Sequence, residues 1–469
     1  MCGIAGIYDT RAKRGSLEPE IRAMTEALSH RGPDDFGYHV ADTVALGHRR
    51  LSIIDLKGGH QPIYNEDSTA CIVYNGEVYN YREIKKELEG AGHRFTTNSD
   101  TETILHAYEQ WGEECVGRLH GMFAFCVWDS KKKTLFMARD RFGKKPFFYA
   151  EYNGRFVFSS EMKSILLDPG FKRTVDDEAL AAYFMFTYVP APLTIYRGIK
   201  KLLPGHTLTY RDGQTTENKY WDIRFAPDRG KKEKDFIPEF MELLREAVRM
   251  RLLSEVPLGA FLSGGVDSST VVALMSGVSP SPVNTFTIGF SGNTGGFDDE
   301  RKYARLVAER YATNHKEYEV APSLEGIMEK IAGSFDEPFA DDSTIPSYYV
   351  YEMAGRDVRV ALSGLGGDEA FCGYERYLGF HISRLYGRLP GALRDGVLRP
   401  LIERIPESGS GGNTVNHLKR FVRSSSKDNG ERYLGFVAKV KGGYRDGFFT
   451  GPAGVLSDAA GSARDIFLN

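Results

Sequence analysis

Residues 258–269 read LGAFLSGGVDSS, and this stretch decides the fold of the second half of the chain. The apolar run Leu258–Leu262 has the length of a buried strand, and the small residues Ser263–Gly265 then mark a loop that opens a helix. Residues 358–369, VRVALSGLGGDE, repeat this order. Strands that alternate with helices in this way predict a parallel, doubly wound α/β sheet, in which ligands bind beyond the carboxyl ends of the strands.

The two glycine-rich loops have the composition of a phosphate-binding site. Small residues let the backbone approach a phosphate closely, and backbone amides at a helix N-terminus supply partial positive charge. Asp267 could hold Mg²⁺ against the phosphates. The P-loop motif G-x-x-x-x-G-K-[ST] occurs nowhere in the sequence. Two such loops at neighbouring strand ends would embrace one nucleotide, although either loop alone could be a tight turn.

The first 210 residues follow another pattern, in which short apolar segments alternate with turn residues. This pattern predicts paired strands with helices between them, arranged as stacked sheets covered by helices. Helices are predicted over Tyr81–Ala91 and Thr101–Gln110. The predicted strands are Ile4–Tyr8, Ala70–Tyr74, Phe123–Trp128, Thr134–Ala138, Pro146–Tyr149 and Phe156–Ser159. The polar stretch 211–235 predicts a boundary, so the first domain is expected over residues 1–212 and the second over 235–469.

The bulk composition is that of a globular protein without a strongly charged surface. Of 469 residues, 41% are hydrophobic and 26% charged, and the formal net charge is -3, which predicts no nucleic-acid partner. No apolar run approaches the roughly 20 residues that span a bilayer, so no membrane partner is predicted. The five cysteines form no C-x-x-C pair, so no zinc site is predicted. Sparse cysteines and an N-terminus without a basic and apolar leader predict a cytoplasmic protein.

Cys2 could act as a nucleophile because of its position in the chain. If Met1 is removed, one residue carries both a thiol and an α-amine, whose ordinary pKa is about 7.7–8.0. The amine can take the thiol proton, and the thiolate can then attack an amide carbonyl to give a thioester and ammonia. Taken alone, Cys2 could equally be a chance cysteine near the start of the chain.

Residues 75–77, Asn-Gly-Glu, follow the apolar segment Cys71–Tyr74. We expect a turn there to aim the Asn75 side-chain amide and the Gly76 backbone N–H at one oxygen, as an oxyanion hole requires. The alternative is an ordinary Asn-Gly hairpin turn.

Three charged residues have the chemistry to recognise both ends of an α-amino acid. Arg50 could clamp a carboxylate with two parallel hydrogen bonds. Glu77 and Asp100 supply negative charge for an ammonium group. The alternatives are a surface arginine and, for Asp100, a helix cap.

Six motifs together resemble the glutaminase domain of the asparagine synthetases. They occur in matching order at residues 1–9 (MCGIAGIYD), 30–34 (HRGPD), 48–55 (HRRLSIID), 74–80 (YNGEVYN), 121–125 (GMFAF) and 139–143 (RDRFG). The resemblance implies an N-terminal-nucleophile αββα sandwich. It implies Cys2 as nucleophile, Asn75 and Gly76 as oxyanion hole, and Glu77 and Asp100 as ligands of the α-amine. The glutamine carboxylate is then expected on Arg50 and on the backbone of Leu51, Ser52, Ile53 and Ile54.

The two loops of the second half resemble the pyrophosphate-loop synthetase domain of the same family. This resemblance implies that a carboxylate is adenylated with release of pyrophosphate. It implies Mg²⁺ on Asp267 and Asp368, and an acceptor near residues 336–346. The positions that match an ATP lining are Leu262, Ser263, Gly264, Gly265, Asp267, Ser268, Ile288, Ser363 and Gly364.

The expected reaction converts glutamine, aspartate and ATP into glutamate, asparagine, AMP and pyrophosphate. Two sites in one chain imply a sheltered path for ammonia, because water would protonate it to ammonium. Leu365 stands where asparagine synthetases often have an acidic residue, so a sugar acid or a peptide is an alternative acceptor. A glutaminase or sensor with an inactive synthetase half is another alternative. The chain is shorter than the family usually is, so the second domain is expected to be incomplete, and a homodimer is a further expectation.

Overall fold

The computed structural model describes residues 1–13, 15–291, 299–321, 326–406, 413–424 and 428–439. The rest of the predicted second domain, residues 440–469, lies outside the described residues. The chain forms two compact units. The first consists of Met1–Thr174, Ala191–Asp336 and Ser343–Ser363. The second consists of Val175–Pro190, Glu337–Asp342 and the chain from Gly364 onward. These units are contact clusters, and the domain limits at residues 212 and 235 stay a prediction.

The strands of the first half form two antiparallel six-stranded sheets. They are β1 Gly3–Asp9, β2 Asp35–Val40, β3 Val44–Arg50, β4 Ile63–Tyr64, β5 Ala70–Val78, β6 Gly121–Asp129, β7 Thr134–Arg139, β8 Phe148–Tyr152, β9 Arg155–Ser159, β10 Ile199–Lys201, β11 His206–Arg211 and β12 Gln214–Lys219. The first sheet has the order β10-β8-β9-β1-β3-β2 and the second β12-β11-β7-β6-β5-β4.

Helices cover the outer face of each sheet in the first half. They are α1 Glu18–Glu26, α2 Tyr81–Gly90, α3 Asp100–Trp111 and α4 Met162–Ile165, with a 3-10 helix at Gly112–Arg118. The next helix, α5 Asp177–Phe186, belongs to the second unit, where Ala182 and Phe186 pack with Leu434. Val73 and Cys126 of the second sheet pack against Ile4 and Leu46 of the first. The neighbouring residue Ile72 points the other way, into a core that α2 and α3 complete.

Helix α1 packs closely against the outer face of the first sheet. A Cβ on Gly47 of β3 would lie 2.0 Å from Oγ1 of Thr25 in α1, so glycine is needed for this approach. Helix, sheet, sheet and helix therefore form four layers, which confirms the predicted αββα sandwich.

The second half contains a parallel sheet of four strands in the order β15-β14-β13-β16. Its strands are β13 Leu258–Phe261, β14 Asn284–Phe290, β15 Asn314–Val320 and β16 Val360–Leu362. The helices are α6 Glu233–Arg251, α7 Val266–Val278, α8 Arg301–Arg310, α9 Ile327–Ser334, α10 Thr344–Ala354, α11 Gly367–Phe371, α12 Glu375–Tyr386, α13 Gly391–Leu393, α14 Arg399–Glu403, α15 Asn413–Arg423 and α16 Asn429–Val437, with a π-helical turn at Arg394–Leu398.

This sheet is covered on both faces. Val272 of α7 and Ala304 of α8 pack with Ala260 of β13 in one core, whereas Ala354 of α10 packs with Phe286 of β14 in another. The chain runs outward from β13 to β15 and then returns to β16 on the other side of β13. The predicted doubly wound sheet is therefore confirmed, and its order reverses at β13, where such sheets bind ligands.

Two predictions about the strands were wrong in detail. The strand predicted at Pro146–Tyr149 lies at Phe148–Tyr152. The polar stretch 211–235 contains the strand β12, which pairs only with β11 at the edge of its sheet. An edge strand faces water on several sides and carries polar residues, so its sequence resembles a loop. In the part of the chain that the structure describes, no helix combines the length and the apolar character needed to cross a bilayer.

Candidate active site

Cys2 lies in a pocket at the start of β1, a central strand of the first sheet. The Leu51 backbone N–H donates to its Sγ at 3.4 Å, and Arg31 Nε donates to its carbonyl oxygen at 2.9 Å. Burial raises the pKa of the Cys2 thiol. The α-amine stands on Met1 in this chain, and burial lowers the pKa of that amine to about 6. The pocket therefore favours a neutral amine beside a buried thiol.

Most of the predicted glutamine-site residues line this one pocket. They are Cys2, Arg50, Leu51, Ile53, Ile54, Asn75, Gly76, Glu77 and Asp100. Ser52 is not in the lining, and its backbone N–H donates to Asp34 Oδ2 at 2.9 Å. Sequence motifs spread over a hundred residues thus converge at one place.

Asn75 and Gly76 lie within β5, so the prediction of a turn at these residues was wrong. Asn75 pairs with Ala124 and Gly76 with Phe123 of β6. Glycine serves close packing here, because a Cβ on Gly76 would lie 2.2 Å from the carbonyl oxygen of Met122. The Asn75 Nδ2 atom is buried and has no hydrogen-bond partner among the described residues. Since a buried, unpaired donor is costly, this amide is poised for a ligand oxygen.

Arg50 is buried beside the loop of residues 51–56. Its Nη2 donates to the carbonyl oxygens of Ile54 at 3.1 Å and Asp55 at 2.6 Å, and its Nη1 to that of Leu56 at 3.4 Å. A guanidinium has five N–H donors, so two remain for a carboxylate. Arg50 therefore orders the loop that borders the pocket, and two of its N–H groups have no partner among the described residues.

Glu77 and Asp100 give the pocket a negative end. Burial and the nearby Asp100 carboxylate raise the pKa of Glu77 to about 7. Burial also raises the pKa of Asp100, whose Oδ2 accepts from Tyr74 Oη at 2.8 Å and from the Val78 N–H at 2.9 Å. Ser99, and not Asp100, provides the side-chain cap of α3, by accepting from the Thr101 N–H at 3.1 Å. Two desolvated acids that repel each other are well suited to a cation.

Sequence reasoning missed Lys145, a buried residue that also lines the pocket. Its Nζ lies 3.2 Å from Met1 Sδ, and burial lowers its pKa. Its backbone N–H donates to Asp140 Oδ2 at 3.0 Å. Asp140 belongs to the motif at residues 139–143, and that motif was the signal that could have led to Lys145.

The raised pKa of Glu77 predicts a pH dependence for glutamine binding. Below pH 7 Glu77 becomes protonated and loses its attraction for the α-ammonium group. Between pH 8 and pH 6 the ionised fraction of a group with this pKa falls about tenfold, so we expect the Kd for glutamine to rise about tenfold. Calorimetry on a Cys2→Ala background would measure this without turnover. Adding Glu77→Gln should remove the pH dependence, while adding Glu87→Gln, at an exposed position, should preserve it; a flat profile in the parent variant would contradict the assignment.

The first glycine-rich loop follows β13 in the second half. Gly264 has a φ of +85°, and a Cβ there would lie 2.4 Å from Cβ of Tyr303, so only glycine fits. Ser263 Oγ lies 3.1 Å from Ser268 Oγ and accepts the Gly265 N–H at 3.2 Å. These contacts fix the loop to the first turn of α7.

The other predicted ATP residues follow the topology of the sheet. Ser263 and Ser363 leave the carboxyl ends of the neighbouring strands β13 and β16, in which Ala260 pairs with Leu362. Ile288 lies in β14, on the other side of β13. The sheet thus brings these positions to the edge where its strand order reverses.

The two predicted Mg²⁺ ligands lie in different compact units. Asp267 occupies the first turn of α7 in the first unit. Asp368 occupies the first turn of α11 in the second unit, to which Gly364 also belongs. Within the described chain neither carboxylate has a hydrogen bond with another residue. Oxygen ligands of this kind fit a hard cation.

Residues just before two strands of the parallel sheet contact the loop of residues 51–56 and the neighbouring Asp34, which accepts from the Ser52 N–H. Glu255, just before β13, accepts from the backbone N–H of Asp55 at 2.9 Å and of Leu56 at 3.4 Å. Arg359, just before β16, lies 3.2 Å from Asp34. The strands that end in the glycine-rich loops are therefore tied at their starts to the border of the Cys2 pocket.

Comparison with known families places a separate match on each half of the chain. Residues 1–221 match the glutamine amidotransferase domain. Residues 239–439 match the asparagine synthase family.

Curated relatives extend across both halves. Glutamine-hydrolysing asparagine synthetase 3 of Bacillus subtilis is 34% identical over 91% of this chain and 70% of its own length. A Methanocaldococcus jannaschii protein that carries the same family name is 39% identical over 84% of this chain and 79% of its own length. The chain belongs to the glutamine-hydrolysing asparagine synthetase family. Asparagine synthetase 1 of Bacillus subtilis is 38% identical over 85% of this chain, which spans only 63% of that relative's length.

Proposed function

We propose that this protein is a glutamine-dependent asparagine synthetase. Ammonia released from glutamine at Cys2 is passed to an aspartyl-adenylate made from aspartate and ATP, and the products are asparagine, glutamate, AMP and pyrophosphate. The observation that carries the proposal is the buried Asn75 Nδ2, which has no hydrogen-bond partner among the described residues and lies in the same pocket as the Cys2 thiol. The site residues and their roles below are part of this proposal.

The glutaminase step uses the thiol of Cys2 as nucleophile. Removal of Met1 places the α-amine on Cys2, where it takes the thiol proton and delivers it to the leaving nitrogen. The Asn75 side-chain amide and the Gly76 N–H stabilise the negative oxygen of the tetrahedral intermediate. Ammonia departs, and water then hydrolyses the thioester to glutamate and regenerates the thiol.

Glutamine is oriented by its two charged ends. The donors that Arg50 does not use on the loop bind the carboxylate, together with the backbone of residues 51–54. Glu77 and Asp100 bind the α-ammonium group, which offsets the repulsion between the two acids. Fixing both ends holds the amide carbon against Cys2.

The synthetase step activates the acceptor carboxylate with ATP. The phosphates lie on the backbone amides around Ser263–Gly265 and on the N-terminus of α7. Asp267 and Asp368 would hold Mg²⁺, which neutralises phosphate charge. The carboxylate oxygen displaces pyrophosphate from ATP, and ammonia then attacks the acyl carbon and releases AMP.

Glu255 provides a test of how the loop of residues 51–56 supports glutamine use. Glu255→Ala removes two hydrogen bonds to the loop, and each is worth about 1 kcal/mol, so the ordered population should fall about fivefold or more. We expect a corresponding rise in KM for glutamine and unchanged synthesis from free ammonium. Glu246→Ala, which removes only an exposed ion pair on α6, is the matched control. Equal kinetics for the two variants would contradict this role.

The acceptor can be identified by a panel of carboxylates. AMP and pyrophosphate are measured in the presence of glutamine with aspartate, a sugar acid or a short peptide as the acceptor. We expect aspartate to support AMP formation at the highest rate. If AMP formed with another acceptor but not with aspartate, the product would be the amide of that acceptor and not asparagine.

We also propose the cellular compartment and the oligomeric state of the protein from its family. We place the protein in the cytoplasm, where free thiols such as Cys2 stay reduced. We expect a homodimer, which light scattering of the purified chain would measure.

A further inference from the structure

A cluster of two histidines and two glutamates lies apart from the Cys2 pocket. Glu66 is in the turn between β4 and β5, His93 follows α2, and His106 and Glu109 are one turn apart on α3. One ligand atom from each residue can be chosen so that all four lie within 4.8 Å of one another. The shortest distances are 2.7 Å from His106 Nδ1 to Glu109 Oε2 and 3.7 Å from His106 Nδ1 to Glu66 Oε2. His93 Nδ1 lies 3.9 Å from Glu66 and 4.0 Å from Glu109.

One of the two histidines, His93, is oriented as metal-binding histidines usually are. In metal sites the second ring nitrogen of a histidine generally faces a carbonyl or carboxylate oxygen, which fixes the tautomer. His93 Nε2 lies 3.1 Å from Gln110 Oε1, within hydrogen-bond distance. His106 Nε2 lies 3.7 Å from Glu102 Oε1, which is too long for a hydrogen bond, and it has no hydrogen-bond partner among the described residues. The Nδ1 atoms of both histidines face the glutamates.

The glutamates are held in the same manner. Asn65 Nδ2 donates to Glu109 Oε1 at 2.6 Å, and the Arg94 N–H donates to Glu66 Oε1 at 3.0 Å. The Oε2 atom of each glutamate remains directed at His106. A hydrogen bond outside the centre of the cluster therefore holds three of the four side chains, those of Glu66, His93 and Glu109.

We propose that Glu66, His93, His106 and Glu109 form a binding site for a divalent transition metal of the zinc class. Two imidazoles and two carboxylates are a donor set that Zn²⁺ accepts, and bonds of about 2.0–2.2 Å would place neighbouring ligand atoms about 3.3–3.6 Å apart. Side-chain adjustments of about an ångström bring the observed distances to these values. The side chain of His106 is 1% exposed, whereas that of Glu66 is 39% exposed, so the site opens to water on one side.

The metal would join three separate segments of the chain. It would fasten the β4–β5 turn and the α2–α3 connection to α3, whose first turn carries Asp100 of the Cys2 pocket. The role is structural, because no substrate group of the proposed reaction is needed there. The cysteine pattern could not reveal this site, since its ligands are histidines and glutamates from three segments of the sequence.

The test uses the full-length, tag-free protein after treatment with a chelator. Co²⁺ is titrated and its visible absorption recorded, and Zn²⁺ binding is measured by calorimetry. We expect one equivalent of Co²⁺ with the spectrum of a four- or five-coordinate ion, displaced by Zn²⁺ but not by excess Mg²⁺. A thiolate-to-cobalt band should be absent, which separates the site from Cys2.

Variants at two of the four ligands, one histidine and one glutamate, make the assignment specific. His93→Gln and Glu109→Gln should each weaken Co²⁺ binding at least about tenfold. His120→Gln, at an exposed position outside the cluster, should bind as the parent does. Circular dichroism establishes that each variant is folded. Binding below one equivalent in the parent protein, or unchanged binding in both ligand variants, would overturn the proposal and leave the cluster as an ion-pair network.

Discussion

We expect Cys2→Ala to lose glutamine hydrolysis by at least about 10⁴-fold, because removal of a covalent nucleophile leaves only binding and oxyanion stabilisation. Synthesis supported by free ammonium should persist at the rate of the parent protein. The physical reason is that the thiol serves only the release of ammonia. Glutamate formation and amide formation, measured separately, report the two steps.

The matched control for this variant is Cys372→Ser. Cys372 is an exposed free thiol and should leave glutamine hydrolysis unchanged. If Cys2→Ala hydrolysed glutamine at a rate similar to this control, the covalent mechanism would be wrong. Intact-mass measurement on the parent protein should also find Met1 removed, since a retained Met1 would leave Cys2 without an α-amine.

Asn75→Ala should lower kcat for glutamine hydrolysis about 10²–10³-fold with a small change in KM. This is the usual effect of removing one oxyanion-hole donor, which acts on the transition state and little on the ground state. The variant should fold as well as the parent protein. Because Asn75 Nδ2 has no partner among the described residues, the substitution breaks no hydrogen bond of the folded state through that atom.

A purely structural role for Asn75 predicts a different result. The thermal midpoint would then fall along with activity, and both kinetic parameters would change. Asn218→Ala, on the exposed edge strand β12, serves as the matched control and should change neither quantity. A loss of activity in Asn75→Ala that tracked its loss of stability would contradict the oxyanion role.

Short sequence motifs carry the residues that the structure brings together in the Cys2 pocket, and the roles given to these residues stay predictions. Cys2 and Asn75 are 73 positions apart, yet each stands in a motif whose order matches the family. The error concerned local conformation. Asn-Gly favours a turn on local grounds, but pairing with Ala124 and Phe123 of β6 holds both residues in a strand. Such long-range pairing is not encoded in the local pattern.

Other features could not be derived from local sequence because they depend on tertiary packing. Arg50 donates three hydrogen bonds to the backbone of its own loop, which composition does not reveal. Lys145 reaches the pocket only because the loop after β7 folds around Asp140. The polar strand β12 resembled a linker because it lies at a sheet edge.

The parallel sheet was predictable because apolar strands, glycine-rich loops and helices alternate along the chain. The reversal of strand order at β13 was not predictable in the same way, since β16 joins the sheet about a hundred residues after β13. This reversal places Ser263 and Ser363 at neighbouring strand ends. The roles assigned to the ATP residues, and to Asp267 and Asp368, remain predictions.

Isotope transfer tests the proposed function most directly. The protein is incubated with glutamine labelled with ¹⁵N in the side-chain amide, together with aspartate and ATP, and the products are analysed by mass spectrometry. We predict ¹⁵N-labelled asparagine, with AMP and glutamate formed in equal amounts. Glutamate that forms without AMP, with the label released entirely as ammonium, would contradict the coupling of the two halves.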